Sequence, residues 1–283
     1  MTKSTSLWQL RIRMFCKDRL AVVSLVVIFI LLMSAILAQV IAPYPPAAQR
    51  MSERRLPPGS PAHLLGTDGF GRDIASRLVY GGRISLIVGL VSVGAGMLIG
   101  MTLGLIAGYF KRLDNLIMRV MDILLAFPGV LIAIIVVAIL GPGLYNVIIA
   151  ISVFSIPMFA RLTRAATLSA KEETYVLAAR SLGASTSRIL LQHILPNIIS
   201  PIIVFATVRI GVSILNAAAL SFLGIGAQPP LPEWGVMISE GRDFLYTSPH
   251  IAFVPGLAIL IVVLSFNLLG DGVRDALDPF QSH

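Results

Sequence analysis

The chain has 283 residues, 56% hydrophobic and 13% charged, with a formal net charge of +8 and a mean hydropathy of +0.87. A soluble domain carries about 25% charged residues, so this composition excludes an ordinary soluble protein and sets the class as integral membrane. The single cysteine, Cys16, excludes an internal disulfide, and no zinc-type Cys/His spacing occurs.

In chain order, residues 1–19 form a basic segment carrying Arg11, Arg13, Lys17 and Arg19, and an uncharged run follows over 20–41. That run exceeds the core of a cleaved signal peptide and matches a full span, so it is read as a retained first transmembrane helix. Residues 42–83 form an extracytoplasmic loop. Pro43, Pro45, Pro46, Pro57, Pro58 and Pro61 predict irregular chain until HLLGTDGFGRDIASRLVYGGR. There Thr67 or Asp68 caps a short helix over about 72–80. His63, Asp68 and Asp73 could be drawn as metal ligands, but capping and surface ion pairs account for them more simply. Gly69 and Gly71 follow no strand and make no dinucleotide fingerprint.

The core, 84–283, holds five further spans. They cover 84–110, about 116–140 with Arg119 and Asp122 in its first turns, about 144–160 with Pro157, about 198–224 with Arg209, and 251–269. Lipid leaves no partner for bare backbone groups, and runs this continuous exclude the short alternating strands of a barrel. The expected fold is all-α with six transmembrane helices. With both termini cytoplasmic, Lys3, Arg11, Arg13, Lys17, Arg19, Lys111, Arg112, Arg119, Arg161, Arg164, Lys171, Arg180, Arg188 and Arg274 lie inside. Only Arg50, Arg54, Arg55, Arg72, Arg77, Arg83 and Arg242 lie outside. This bias follows the positive-inside rule, so topology explains the net charge and a nucleic-acid partner is unnecessary.

Gly96, Gly100, Gly104 and Gly108 recur every fourth residue on one face of the second helix. Such a face lets another helix approach closely, in a partner subunit or within the chain. Arg209 lies roughly 16 Å into the fifth helix at about 1.5 Å per residue. A charge there costs at least about 2.5–3.5 kcal/mol and must face protein or a wet cavity. Asp122 is its candidate partner; a place on a translocation path and a structural ion pair are both open. Asn216 and Asn267 fit polar links between helices. Between the last two spans, Gln228, Pro229, Pro230, Pro232 and Trp234 suit a re-entrant or interfacial structure, with contact to an extracytoplasmic protein as the alternative.

The polar stretch 165–197 is too polar to span. Ser169 and Glu172 match a capping box, predicting a helix over about 170–182. Tyr175, Ala178, Ala179 and Leu182 would share one face. Gly183 permits the positive φ that ends a helix, a second short helix covers about 186–195, and Pro196 marks the start of the fifth span. Two short helices with a glycine corner and a small-residue surface suit docking in a cleft of another protein; a membrane-surface pair is the alternative.

This segment resembles the cytoplasmic EAA loop of ABC-importer permeases: Leu177-Ala178-Ala179, then Gly183, then His193, Leu195 and Pro196 keep its spacing. Leu177 replaces the usual Glu and His193 the usual Ile. LGTDGFGRDIASRL, MDILLAFPGVLIAI, FSIPMFARLTRAA, SFLGIGAQPPLPEWGVMI and FNLLGDGVRDALDP resemble the C-type permease of the dipeptide, oligopeptide and nickel group, nearest to peptide and glutathione importers. The resemblance implies a type I importer (MetI-like) fold. It implies a homologous second permease, two ATPase subunits docked on the loop through Glu172, Tyr175, Ala178, Ala179, Gly183 and Pro196, and an extracytoplasmic binding protein delivering peptide. A nickel or metal chelate is the alternative cargo. The chain has no G-x-x-x-x-G-K-[ST] loop, so ATP and Mg would be bound by the partners and no cofactor by this chain. An ion-coupled secondary transporter or channel is the rival from another class. It would need an intramembrane carboxylate, for which Asp122 is the one candidate within a predicted span.

Overall fold

The structure, a computed structural model, describes residues 14–277. Lys3, Arg11 and Arg13 of the orientation argument, and residues 278–283 of the expected core, lie outside the described residues.

Helix α1, Arg19–Ile36, opens on Asp18, whose carboxylate accepts from the Leu20 and Ala21 amides. The expected first span breaks once, at Leu37, before the single turn α2, Ala38–Ile41. The next helix, α3, Ile74–Tyr109, merges the expected short loop helix with the second span. It is about 54 Å long at 1.5 Å per residue. Its cap is Asp73, which accepts from the Ser76 amide at 2.7 Å. Thr67 and Asp68 do not cap it; Asp68 shapes the turn ahead, accepting from the Phe70 and Arg72 amides. The Gly81-Gly82 pair does not interrupt α3, because Trp234 packs against both glycines.

The expected third span is not one helix. Amphipathic α4, Lys111–Leu125, and apolar α5, Gly129–Leu140, meet at 89°. Two features impose the break. Pro128 lacks an N–H and disfavours helix at Phe127. In addition, Lys111, Arg112, Asp114, Arg119 and Asp122 lie on one side of α4, opposite Leu113, Leu116, Ile117 and Val120. That pattern suits a helix lying in an interface better than one crossing it. Helix α6, Leu144–Ala170, continues well past the expected end near Ala160 and carries Pro157 in its interior.

The polar stretch contains α7, Thr174–Ser181, then α8, Thr186–Arg188, and a π-turn, Ile189–Ile194, that enters α9, Leu195–Phe222. From Thr186 to Phe222 the chain is one unbroken helix, so the expected second rod and fifth span are a single element. The wide turn sits where Pro196 would otherwise press its ring against the Gln192 carbonyl. After α9 come α10, Trp234–Gly241, and α11, His250–Leu277.

Among the described residues, five helices are long and apolar enough to cross a membrane, and the bent α4–α5 pair makes a broken sixth. The bundle centres on α3 packed along α6, with α9 against α3, α6 and α11, and α1 against α3 and α11. The α3–α6 seam is where the four glycines fall. A Cβ at Gly96, Gly100, Gly104 or Gly108 would lie 2.5–2.6 Å from Ser155, Ile156, Ala160 or Thr167 respectively. The close approach they permit is therefore to α6 of the same chain.

Residues 42–73 form a loop folded by its own polar contacts. Buried His63 sits 2.9 Å from Asp73 and 3.1 Å from Glu53. Arg72 pairs with Asp68 at 2.6 Å and Glu240 at 2.7 Å, and Arg77 reaches Glu240 at 2.8 Å. This buried set of two cations and two anions pins the loop and the first turn of α3 to α10.

Candidate functional site

Two places carry the chemistry: the polar loop at one end of the bundle, and Arg209 inside it. The capping box does not form in the loop. Ser169 already lies in the last turn of α6, and the position before α7 is taken by Glu173, four residues after the expected cap and without a side-chain bond to the helix amides. The helix is therefore shorter and faces differently. Its inward residues are Val176 and Ala179, whereas Glu172, Tyr175, Leu177, Ala178 and Leu182 face out. Leu182 is 88% exposed. Val176 joins Ile189, Ile194, Ile198 and Ile202 with Phe159, Leu105 and Val93 in one continuous apolar cluster. The loop is thus packed directly into α3, α6 and α9.

Gly183 performs the expected task. Its φ is +79°, its amide donates to Arg180 O at 3.0 Å and the Ala184 amide donates to Ala179 O at 3.1 Å. That double bond pattern is a Schellman motif, whose C′ position strongly favours glycine. Three further contacts tie this end of the bundle together, two of them from the loop. Lys171 Nζ donates to Gly108 O at 3.0 Å, completing the last turn of α3. Arg164 holds Asp114 of α4 at 2.5 and 2.6 Å. Arg180 stacks over the Tyr109 ring. Lys171, Arg164 and Arg180 entered the sequence reading only as topological charges; their spacing to Gly108, Asp114 and Tyr109 gave no local signal.

Arg209 lies near the middle of α9, about 20 Å from either end. It is 8% exposed, with its guanidinium over the Phe154 ring of α6 at 5.3 Å. Its Nε and Nη2 have no hydrogen-bond acceptor among the described residues. Asp122 is not its partner: it is exposed on α4 and bonded to Arg161 at 2.8 Å. The break at Pro128 carries α4 away from the bundle interior and removes the expected pairing. Asn216 lies on the same side of α9, two turns further on. With Phe154, Gly129, Val130, Ala133, Ile151 and Leu220 it lines a narrow cleft between α5, α6 and α9.

In the linker after α9, Gln228, Pro229 and Pro230 are exposed, whereas Trp234 has a structural place. Trp234 is 1% exposed, lies against Gly81 and Gly82, and donates from Nε1 to Leu78 O at 3.0 Å. It is neither an interfacial anchor nor an exposed contact. Glu233, equally buried, caps α10 by accepting from the Val236 amide at 3.0 Å. His63 is bonded to Glu53 and Asp73, and no cluster of three or more His, Cys, Asp or Glu side chains is placed to hold a metal among the described residues.

A broken third span, a helical loop keyed into the bundle by a Schellman turn, and a buried intramembrane cation are features of a transport subunit. Residues 100–283 match the family described as binding-protein-dependent transport system inner membrane component, and residues 6–58 match the N-terminal TM domain of oligopeptide transport permease C. The chain belongs to this family of ABC-transporter permeases and is a multi-pass membrane protein.

Among its relatives is the glutathione transport system permease protein GsiD of Pectobacterium atrosepticum. It is 52% identical over 274 residues, covering 96% of this chain and 91% of the relative. The dipeptide transport system permease protein DppC of Alkalihalophilus pseudofirmus is 48% identical over 277 residues, covering 98% and 91%. An inward-facing structure of the MetNI methionine ABC transporter superposes with a TM-score of 0.59 at 20% identity, covering 71% of this chain and 97% of that one. That likeness defines the fold, the MetI-like fold of type I importers.

Proposed function

We propose that this chain is one half of the translocation pathway of an ATP-driven importer for short peptides or glutathione. Both termini lie in the cytoplasm. The second half is a homologous permease, cargo arrives from an extracytoplasmic binding protein, and the polar loop docks on an ATPase subunit. ATP and Mg are bound by the ATPases, and this chain contributes no nucleotide site of its own. Closure of the ATPase pair moves α7, and the shared apolar cluster passes that motion to α3, α6 and α9, alternating access between the two sides.

The observation that carries this reading is the two-faced α7. Val176 and Ala179 bind it to the bundle core, while Tyr175, Leu177, Ala178 and Leu182 remain exposed at a site too small and polar to span. An exposed apolar surface of that kind marks a protein contact. The relatives named for glutathione and dipeptides support the choice of cargo.

Reconstitution tests it. The chain, its second permease, the ATPases and the binding protein are placed in liposomes, and uptake of labelled glutathione and alanylalanine is followed. ATP-dependent uptake is expected for the full set and none without the ATPases. Uptake driven by an ion gradient with the ATPases omitted would instead establish a secondary transporter.

A further inference from the structure

The unpaired nitrogens of Arg209 are a specific pair. In a guanidinium, Nε–H and one Nη–H point the same way and form one straight edge, the edge that grips both oxygens of a carboxylate. Nε and Nη2 make up that edge, and both are buried without an acceptor. The flat face is already engaged by Phe154 at 5.3 Å, which orients the plane and leaves the edge as the free recognition surface. Asp122 is bonded to Arg161, and no carboxylate reaches Nε or Nη2 of Arg209 among the described residues. A charged group near the middle of a spanning helix that its own chain does not pair is a candidate for a pathway or for a contact with another subunit. Phe154, on which the guanidinium lies, is also part of the lining of the narrow cleft between α5, α6 and α9, together with Asn216, so the charge is separated from that cleft by one aromatic ring.

We infer that Arg209 is a binding residue for the carboxylate of the cargo, reached when α5 and α6 shift against α9 during the transport cycle. This rests on the reading of the chain as a permease for peptides or glutathione, whose C-terminal carboxylates fit the edge. Transport requires that the grip on the carboxylate differ between the two sides of the cycle, since a site that never weakens never releases.

The test is a substrate–mutant cycle on the full reconstituted importer. Uptake of glutathione and alanylalanine is compared with that of their C-terminal amides, for the unaltered complex, Arg209→Gln and Arg209→Lys. Any preference of the binding protein is common to all three and cancels. The ratio of acid to amide uptake is expected to fall about tenfold in Arg209→Gln, the loss of one charge-assisted pair. Arg209→Lys is expected to fall between, keeping the charge without the two-point edge. An unchanged ratio in both variants, whether uptake of acid and amide drops together or not at all, overturns the inference and leaves Arg209 a structural cation or a partner of the second permease. Failure of the unaltered complex to take up any of the four compounds overturns the functional reading as well, and so separates the two failures.

Discussion

The most tightly determined residues lie in the loop of residues 42–73. Glu240 accepts from both Arg72 and Arg77, and Asp68 closes the set. Removing Glu240 leaves two buried arginines sharing Asp68, at 2.6 Å from Arg72 and 3.6 Å from Arg77, and an under-compensated buried cation costs up to about 3–5 kcal/mol. Glu240→Gln is therefore expected to lower the melting temperature of the detergent-solubilised complex markedly, and an unchanged melting curve would mean that the two arginines find other partners. His63 adds a pH dependence. Burial lowers its pKa, but hydrogen bonds to Asp73 and Glu53 outweigh burial and leave it raised. A raised folded-state value means that the contact contributes fully below the ordinary histidine pKa of about 6.5 and is lost as pH rises through the raised value. Proteolysis of the loop should accelerate in the native protein as pH rises above about 6.5 and through the raised value. In His63→Gln that acceleration should be absent.

At the scale of elements, the glycines show what spacing reveals and what it withholds. Four glycines at every fourth position announce a seam, and the seam is there; its partner, α6, was beyond the reach of local pattern. At Gly100 the new Cβ would meet backbone, Ile156 O at 2.5 Å and Ala160 N at 3.0 Å, together with Phe159 Cβ at 2.7 Å. Backbone cannot step aside, so Gly100→Ala should cost about 1–3 kcal/mol as overpacking, visible as earlier thermal loss of the complex. Gly183 behaves differently. A Cβ there meets nothing within 4 Å, so the penalty of Gly183→Val is the left-handed backbone alone, about 1–2 kcal/mol. Insertion should be intact, while uptake falls and ATP hydrolysis continues; uptake at the native rate would remove this corner from the coupling scheme.

The element boundaries that pattern misjudged each have a tertiary cause. The expected gap between the short loop helix and the second span holds Gly81 and Gly82, which are a slot for Trp234. Ser169 and Glu172 looked like a helix start, but α6 had not yet ended. Residues 116–140 were apolar enough to read as one span. Pro128 and the charged side of α4 divide them instead, and that division removes Asp122 from Arg209. Along α7, the apolar positions were legible, but which of them turned inward depended on where the helix began.

For the whole molecule, composition and the length of the apolar runs pointed to a helical membrane protein, and the motifs to its family, because both depend on residue type and order and not on contacts. The stacking of Arg209 on Phe154, the clamp on Glu240 and the burial of Trp234 depend on helices distant in sequence, and only the assembled bundle displays them. Without its ATPases the chain, even beside its second permease, is expected to show no uphill transport in a liposome assay. The unbroken helix from Thr186 to Phe222 sets the mechanical scale. Were it to pivot at its Phe222 end, a swing of about 5° would carry Thr186 through about 5 Å and Arg209 through about 2 Å. Two ångströms is the difference between a formed and a broken hydrogen bond, so a modest stroke at one end suffices to switch the grip at the centre.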